Sequence, residues 1–285
     1  MKSVVVTGVS TGIGWGVAKV LIAQGFRVFG SVRKQADADR LRLEFGANFT
    51  PLIFDVTDEA AVRASVATVA EALGGETLAG VVNNAGVAVA GPLMNVPIAE
   101  FRHQIEVNLT GVVITTQAFA PLLAPGEDRK GPAGRIVNIS SVGGKNGTPF
   151  LAPYNASKFA IEGLSEALRR ELLLFGVDVI VVAPGAVATA IWGKAKPEDI
   201  LPYKDTAYFP ALEKVHAYMN GQGDKGLPPE RLGEAVATAL TTAKPKVRYT
   251  VAPDPLQTFM MANLPRRMVD RMIGGRLGLL PKAQP

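Results

Sequence analysis

Val4-Val5-Val6-Thr7-Gly8-Val9-Ser10-Thr11-Gly12-Ile13-Gly14 stands almost at the start of the chain and decides its fold class. Ser3 to Val6 is a short β-branched run; after the glycines, Val17, Val20 and Leu21 recur at helical spacing. The order is strand, turn, helix. Glycines at 8, 12 and 14 let a backbone approach a pyrophosphate, with the helix N-terminus facing its negative charge. Taken alone the turn could be merely structural. It lacks the Gly-Lys-Ser/Thr ending of a P-loop, which argues against a nucleotidase.

The unit repeats along the chain. Further strands are expected near 27–32, 49–54, 78–82, 135–139, 178–182 and 247–251, with helical patterns between most of them. Val81-Val82 and Val179-Ile180-Val181-Val182 read as strands buried on both faces. The expectation is therefore an α/β fold with a doubly wound, parallel, seven-stranded sheet of the Rossmann type, as one domain over 1–285. Ligands of such sheets bind outside the carboxyl ends of the strands. Gly8, Asn83, Ser140 to Ser141 and Pro184 to Gly185 fall just past strand ends, so four loops converge on one crevice.

Two regions leave the pattern. Residues 186–227 form a long insertion carrying Ile191, Trp192, Tyr203, Tyr208 and Phe209, the candidate substrate cover. The tail, 255–285, carries Leu256, Phe259, Met260 and Met261, then an arginine-rich stretch with Met268, Met272 and Ile273. Short amphipathic helices broken at Pro265, packed over the pocket rather than against a membrane, are the expectation.

Composition excludes several chemistries. With 48% hydrophobic residues in 285, a large core is available. There is no cysteine, so disulfides, thiolate catalysis and Cys-type zinc sites fall away. His103 and His216 have no ligand-like spacing, and no metal is expected. The net charge of +5 gathers at Arg266, Arg267, Arg271 and Arg276. A solvated basic face competes there with an acidic membrane surface or partner. These arginines lack interleaved aromatics, so no nucleic-acid partner is expected. Lys2 leads straight into the first strand without a signal-peptide pattern, and a cytoplasmic protein is expected.

Ser141, Tyr154 and Lys158 carry the chemistry. A Tyr four residues before a Lys shares its helical face, and a nearby ammonium lowers a phenol pKa toward the range useful for acid–base work. Together with Thr7-Gly8-x-x-x-Gly12-x-Gly14, Asn83-Asn84-Ala85-Gly86, Asn108, Asn138-Ile139-Ser140-Ser141, Tyr154-x-x-x-Lys158 and Pro184-Gly185 with Thr189, these residues resemble the short-chain dehydrogenase/reductase family. The resemblance runs from Ser3 to Thr189, and the layout is similar to the branch holding hydroxysteroid, retinol and hydroxybutyrate dehydrogenases.

What the resemblance implies is an NAD(P)-dependent oxidoreductase interconverting a ketone or aldehyde with an alcohol. Ser141, thirteen positions before the Tyr, would bond the substrate oxygen, and Tyr154 would move its proton. Lys158 would hold the nicotinamide ribose and depress the Tyr pKa. Asn108 would complete a proton relay, unless it is a buried, helix-distorting amide. Ser10, Thr11 and Ile13 would join the glycines at the cofactor, with Asn83, Ala85 and Gly86. Asp55 with Val56 would contact the adenine, the alternative being a helix cap. Pro184, Gly185, Val187 and Thr189 would hold the carboxamide, the alternative being a plain turn. A homodimer or homotetramer through the helices around 108–123 and 154–175 is implied too.

The place after the second strand reads Gly30-Ser31-Val32-Arg33-Lys34, without the acid that bonds an NAD ribose. NADP is therefore expected, with Arg33 and Lys34 on its 2′-phosphate. The counter-reading starts a solvated loop there and gives the ribose to Asp37 or Asp39. Aromatics and methionines in the insertion and tail suggest a lipophilic small-molecule substrate. The rival classes are an NADP-binding sensor or scaffold without turnover and, less favoured, an epimerase or dehydratase, for which the region after Thr189 is short.

Overall fold

A computed structural model describes residues 1–188, 197–223 and 226–281. Strands β1 (Ser3–Val6), β2 (Arg27–Val32), β3 (Phe49–Ile53), β4 (Gly80–Asn83), β5 (Arg135–Ile139), β6 (Asp178–Pro184) and β7 (Arg248–Val251) form one sheet, ordered β3-β2-β1-β4-β5-β6-β7. Every neighbouring pair is parallel. Parallel neighbours need crossovers, supplied by α1 (Gly12–Ala23), α2 (Gln35–Phe45), α3 (Glu59–Leu73), α4 (Ile98–Ile105), α5 (Gly111–Phe119), α6 (Ala152–Glu171), α7 (Phe209–Gly223) and α8 (Pro229–Thr241). After β7 come α9 (Pro255–Asn263) and α10 (Arg266–Leu277).

Period-two alternation divides the core. Val4 and Val6 of β1 pack on one side with Val17 and Leu21 of α1, Leu41 of α2 and Leu232 and Val236 of α8. Val5 faces the other way, into a layer with Val62 and Val69 of α3 and Ile114 and Phe119 of α5. The central strands are mostly apolar because both faces are covered.

One polar seam crosses the second layer. Asn83 ends β4 opposite Asn138 of β5. Its Nδ2 donates to Asn138 Oδ1 at 2.8 Å and to Thr116 Oγ1 at 3.1 Å. Asn138 Nδ2 in turn donates to Ser165 Oγ of α6 at 2.8 Å. All four side chains are buried.

The insertion after β6 is more ordered than a long loop. Its described part holds short helical turns at Pro197–Asp199 and Leu201–Tyr203, then α7, whose Ala211, Leu212 and Val215 pack with Phe150. Thr189, Ile191 and Trp192 lie outside the described residues.

Candidate active site

The strand order reverses between β2-β1 and β4, the switch point where a crevice opens at the carboxyl ends. The crevice has a volume of about 240 Å³ and draws on six strand ends. Gly8, Ser10, Thr11, Gly12 and Ile13 come from the first, Arg33 from the second, Asp55 and Val56 from the third. Ala85 and Gly86 follow β4, Ser141 follows β5, and Pro184, Gly185 and Val187 end or follow β6. Tyr154 and Lys158 reach it from α6.

The glycine turn is shaped from beneath. Gly8 and Gly12 have φ of +70° and +63°, the left-handed region in which a side chain is strained. A Cβ on Gly14 would lie 2.2 Å from the Gly8 carbonyl oxygen and 2.4 Å from Asn84 Nδ2. Asn84 Nδ2 donates to the carbonyls of Thr7 at 2.8 Å and Gly8 at 3.1 Å. Thr7 Oγ1 accepts from the N–H groups of Asn84 and Ala85, at 2.9 and 3.0 Å. Ser31 Oγ accepts from the Gly8 N–H at 2.9 Å. Arg40 of α2 donates to the Ser10 carbonyl at 2.6 Å. Thr11 caps α1 without a side-chain bond to its first turn, and that turn holds no acid. The unclaimed N–H groups of a helix start suit an anion, so the cradle fits a dinucleotide's pyrophosphate.

Four expected cofactor residues do not behave uniformly. Gly14 lies under the turn and shapes it. Asn83 is spent on the buried seam with Thr116 and Asn138 and does not line the crevice. Lys34 caps the start of α2 on the exposed surface, also outside the lining. Thr189 lies outside the described residues. Arg33 does line the crevice, its guanidinium 3.8 Å from the Asp55 carboxylate. The cap of α3 is Asp58, whose carboxylate accepts from the Ala61 N–H at 3.0 Å. Asp55 instead folds onto the Thr57 N–H and hydroxyl, at 3.0 and 2.8 Å. Burial alone would raise its pKa, but the bonds from Thr57 and the charge of Arg33 outweigh it and hold the carboxyl below the usual value.

Ser141 and Tyr154 are hydrogen-bonded to each other. Ser141 Oγ also accepts from the Gly143 N–H at 3.0 Å, which fixes its rotamer. The neighbouring Ser140 hydroxyl is tucked under Gly144, where an added Cβ would lie 2.6 Å from it. Lys158 Nζ sits 5.7 Å from the centre of the Tyr154 ring and donates to the Ile139 carbonyl at 2.9 Å.

The electrostatics depart from expectation. Burial pushes the Tyr154 phenol up, and its bond with Ser141 only partly opposes this. Burial likewise pulls the Lys158 ammonium down to about 8. The two groups share a helix face as the spacing requires, and desolvation is the largest influence on each.

Asn108 lies in a π-turn, Glu106–Thr110, between α4 and α5. Its side chain is taken up by protein partners: Nδ2 donates to the Val87 carbonyl at 3.0 Å and Ser157 Oγ at 3.1 Å, and Oδ1 accepts from the Val87 N–H at 2.8 Å. The buried-amide alternative thus describes the side chain, which sits in the distorted turn between the two helices. Gln104, four residues earlier and fully buried, grips the same segment through the Val87 carbonyl and Val89 N–H, both at 2.7 Å. Sequence reasoning missed Gln104, Asn84 and Ser31. The signals were there: two amides at i and i+4, the second Asn of the Asn-Asn pair, and one hydroxyl in an apolar strand.

A second cavity of about 780 Å³ lies beyond Val87. Val89, Val96, Phe150, Leu151, Leu212, Val215 and Met219 wall it, with Glu100, Glu198, Asp199 and His216 among the polar lining. Phe150 holds a positive φ of 67° two residues before the start of the helix that carries Tyr154. Among the described residues, no group of His, Asp and Glu is arranged to hold a metal ion.

The family pattern described as short chain dehydrogenase matches residues 2–199, so the chain belongs to the short-chain dehydrogenase family. It is an NAD(P)-dependent oxidoreductase of that class. The chain is 41% identical over 273 residues to an NADPH-dependent 3-dehydrocapnine reductase of Ornithobacterium rhinotracheale, covering 95% of this chain and 96% of the relative. It is 31% identical to a 3-ketodihydrosphingosine reductase of Bacteroides thetaiotaomicron, covering 88% and 87%. A short-chain dehydrogenase from Streptomyces avermitilis has a similar solved structure, with a TM-score of 0.75, 28% identity and coverage of 98% and 97%.

Proposed function

We propose that this chain is an NADPH-dependent carbonyl reductase for a lipophilic ketone. The carrying observation is the Ser141–Tyr154–Lys158 grouping in the lining of a dinucleotide-shaped crevice, with a second, more apolar than polar cavity lined by the chain segments that follow Val87 and precede Ala152.

The Gly8–Gly14 turn and the start of α1 would hold the pyrophosphate, and Asp55 and Val56 would contact the adenine. Arg33 would bond the 2′-phosphate, a reading supported by the absence of an acid after β2 and by the relative whose name records NADPH. Pro184, Gly185 and Val187 would hold the nicotinamide end, and Lys158 its ribose. The bound cofactor supplies the hydride.

Tyr154 donates its phenolic proton to the substrate carbonyl oxygen as that oxygen gains charge. Ser141 donates a hydrogen bond to the same oxygen. A phenol pushed up by burial is protonated at neutral pH, the form that reduction requires. Lys158, with a pKa near 8, is a cation at neutral pH and stabilises the phenolate left behind. Gln104 and Asn108 hold the Val87–Val89 wall, which sets how far the substrate enters. The two relatives named as reductases of a dehydro and a keto compound support the reductive direction.

We also assign a cytoplasmic location and a homodimer or homotetramer built on α5 and α6. The exposed Phe159, Leu173, Leu174 and Phe175 on and after α6 support that assembly.

The test is loss of NADPH absorbance against ketones graded in chain length, run beside Tyr154→Phe. Turnover that rises with chain length and falls by about a thousandfold in the variant, with NADPH binding retained, is expected. Undiminished turnover in Tyr154→Phe, or turnover confined to small charged ketones, overturns the proposal.

A further inference from the structure

The apolar residues of the tail are not spent on the pocket. On α9, Leu256, Phe259 and Met260, at i, i+3 and i+4, face outward, and on α10 Met268 and Met272 do the same one turn apart. Each is between 50% and 68% exposed. Val269 of α10 is buried, and the end of the tail turns inward, where Leu277 and Leu279 pack with Phe150, Leu212 and Val215.

We propose that α9 and α10 form a docking surface for an anionic membrane. Charge supplies the first argument. Arg267 and Arg271 are exposed one turn apart, beside the two methionines, and Arg276 follows. Arg266 extends the basic face by donating to Asn146 Oδ1 at 2.7 Å and the Lys145 carbonyl at 3.3 Å, beside the exposed Lys145. Lys214 joins from α7 through the Leu277 carbonyl at 3.3 Å. Against these cations, residues 254–281 hold two acids, Asp254 and Asp270, and Asp254 is engaged in capping α9. Long cationic side chains flanking exposed apolar ones suit a headgroup layer, in which the apolar face enters and the charges stay at phosphate level.

Continuity supplies the second argument. The far end of α10 packs on the residues that wall the second cavity, so a docked tail brings that cavity to the lipid surface. Among the described residues no helix is long and apolar enough to cross a membrane, so the mode is interfacial. A second copy on this face would bring the same arginines together about the two-fold axis, where they repel.

Flotation with phosphatidylcholine vesicles, with and without phosphatidylglycerol, tests the proposal. Thermal midpoint and NADPH affinity serve as fold controls, so the outcome does not depend on finding the substrate. The wild type should float with anionic vesicles and be released by salt. Each basic residue at such a surface contributes about fivefold in partitioning, so Arg267→Glu/Arg271→Glu should weaken binding at least about 25-fold. Phe259→Ser/Met260→Ser should also weaken it, with both controls unchanged. The proposal fails if wild type does not float with anionic vesicles, or if neither double variant reduces binding. It also fails if light scattering shows an oligomer that Phe259→Ser splits, which would give the face to a second copy.

Discussion

The crevice around Gly8 and the cavity beyond Val87 lie side by side, but different forces build them. Asn84, Thr7 and Ser31 fix the crevice through backbone hydrogen bonds, each with few alternatives in geometry. The cavity is walled by Phe150, Leu212, Val215 and Met219, whose contacts are non-directional and tolerate exchange of one apolar shape for another. The half shaped for a dinucleotide is thus over-determined, and the half proposed for the substrate is adjustable.

Gly14→Ala should separate the two halves most strongly. Its Cβ would press on the Gly8 carbonyl, and a loss of at least about 3 kcal/mol in urea unfolding is expected, with NADPH binding abolished. A variant that binds NADPH normally would show the crevice to be softer than its contacts imply.

Lys158→Met tests the seam between the halves, with the opposite sign in stability. The folded pKa of about 8 lies below the ordinary 10.5, so between those values the unfolded chain binds more protons and wild-type stability rises with pH. Below about 8 the full desolvation cost is present, about 3 kcal/mol, and the Met variant should be more stable by an amount of that order. The gain should shrink as pH approaches 10.5, while turnover is lost at every pH; urea titrations at pH 7 and pH 10 check both.

Asn84→Ala removes both side-chain bonds to the Thr7 and Gly8 carbonyls and should cost about 2 kcal/mol. KM for NADPH should rise more than kcat falls. Arg33→Ala, at an exposed position, should leave stability alone and narrow the NADPH-over-NADH preference about tenfold, read from paired dissociation constants. Val215→Ala should cost about 1 kcal/mol in stability and should shift the preferred ketone length while leaving NADPH affinity unchanged.

The same contrast explains what could be read from residues alone. Strands 3–6, 27–32 and 135–139 begin and end where their residues lead one to expect, because each is a short, mostly buried stretch set off from the helical patterns on either side. The turn at Gly8 and the Tyr154–Lys158 spacing are local, and local geometry is written in local sequence. That Asn83 turns to Asn138 could not be read locally, because a polar residue at a strand end serves a ligand or a neighbouring strand equally well and its partner lies 55 residues away. The Tyr154 pKa was misjudged because spacing places a cation but gives no measure of how much water both groups lose. The outward turn of Phe259 and Met260 was invisible, since an apolar stripe looks the same whether or not anything covers it.

The Asn83–Asn138–Ser165 seam has a consequence for assembly of the sheet. Valine and isoleucine runs on β4 and β5 would pair almost as well one residue out of step, since both faces of each strand are apolar. Such a slip would part Asn83 from Asn138 and strand two amides in hydrocarbon, at a cost of about 1–3 kcal/mol for each lost partner. Two amides therefore act as an alignment key for strands that would otherwise slide. Replacing both with valine should leave a sheet of similar stability but with more than one pairing between β4 and β5.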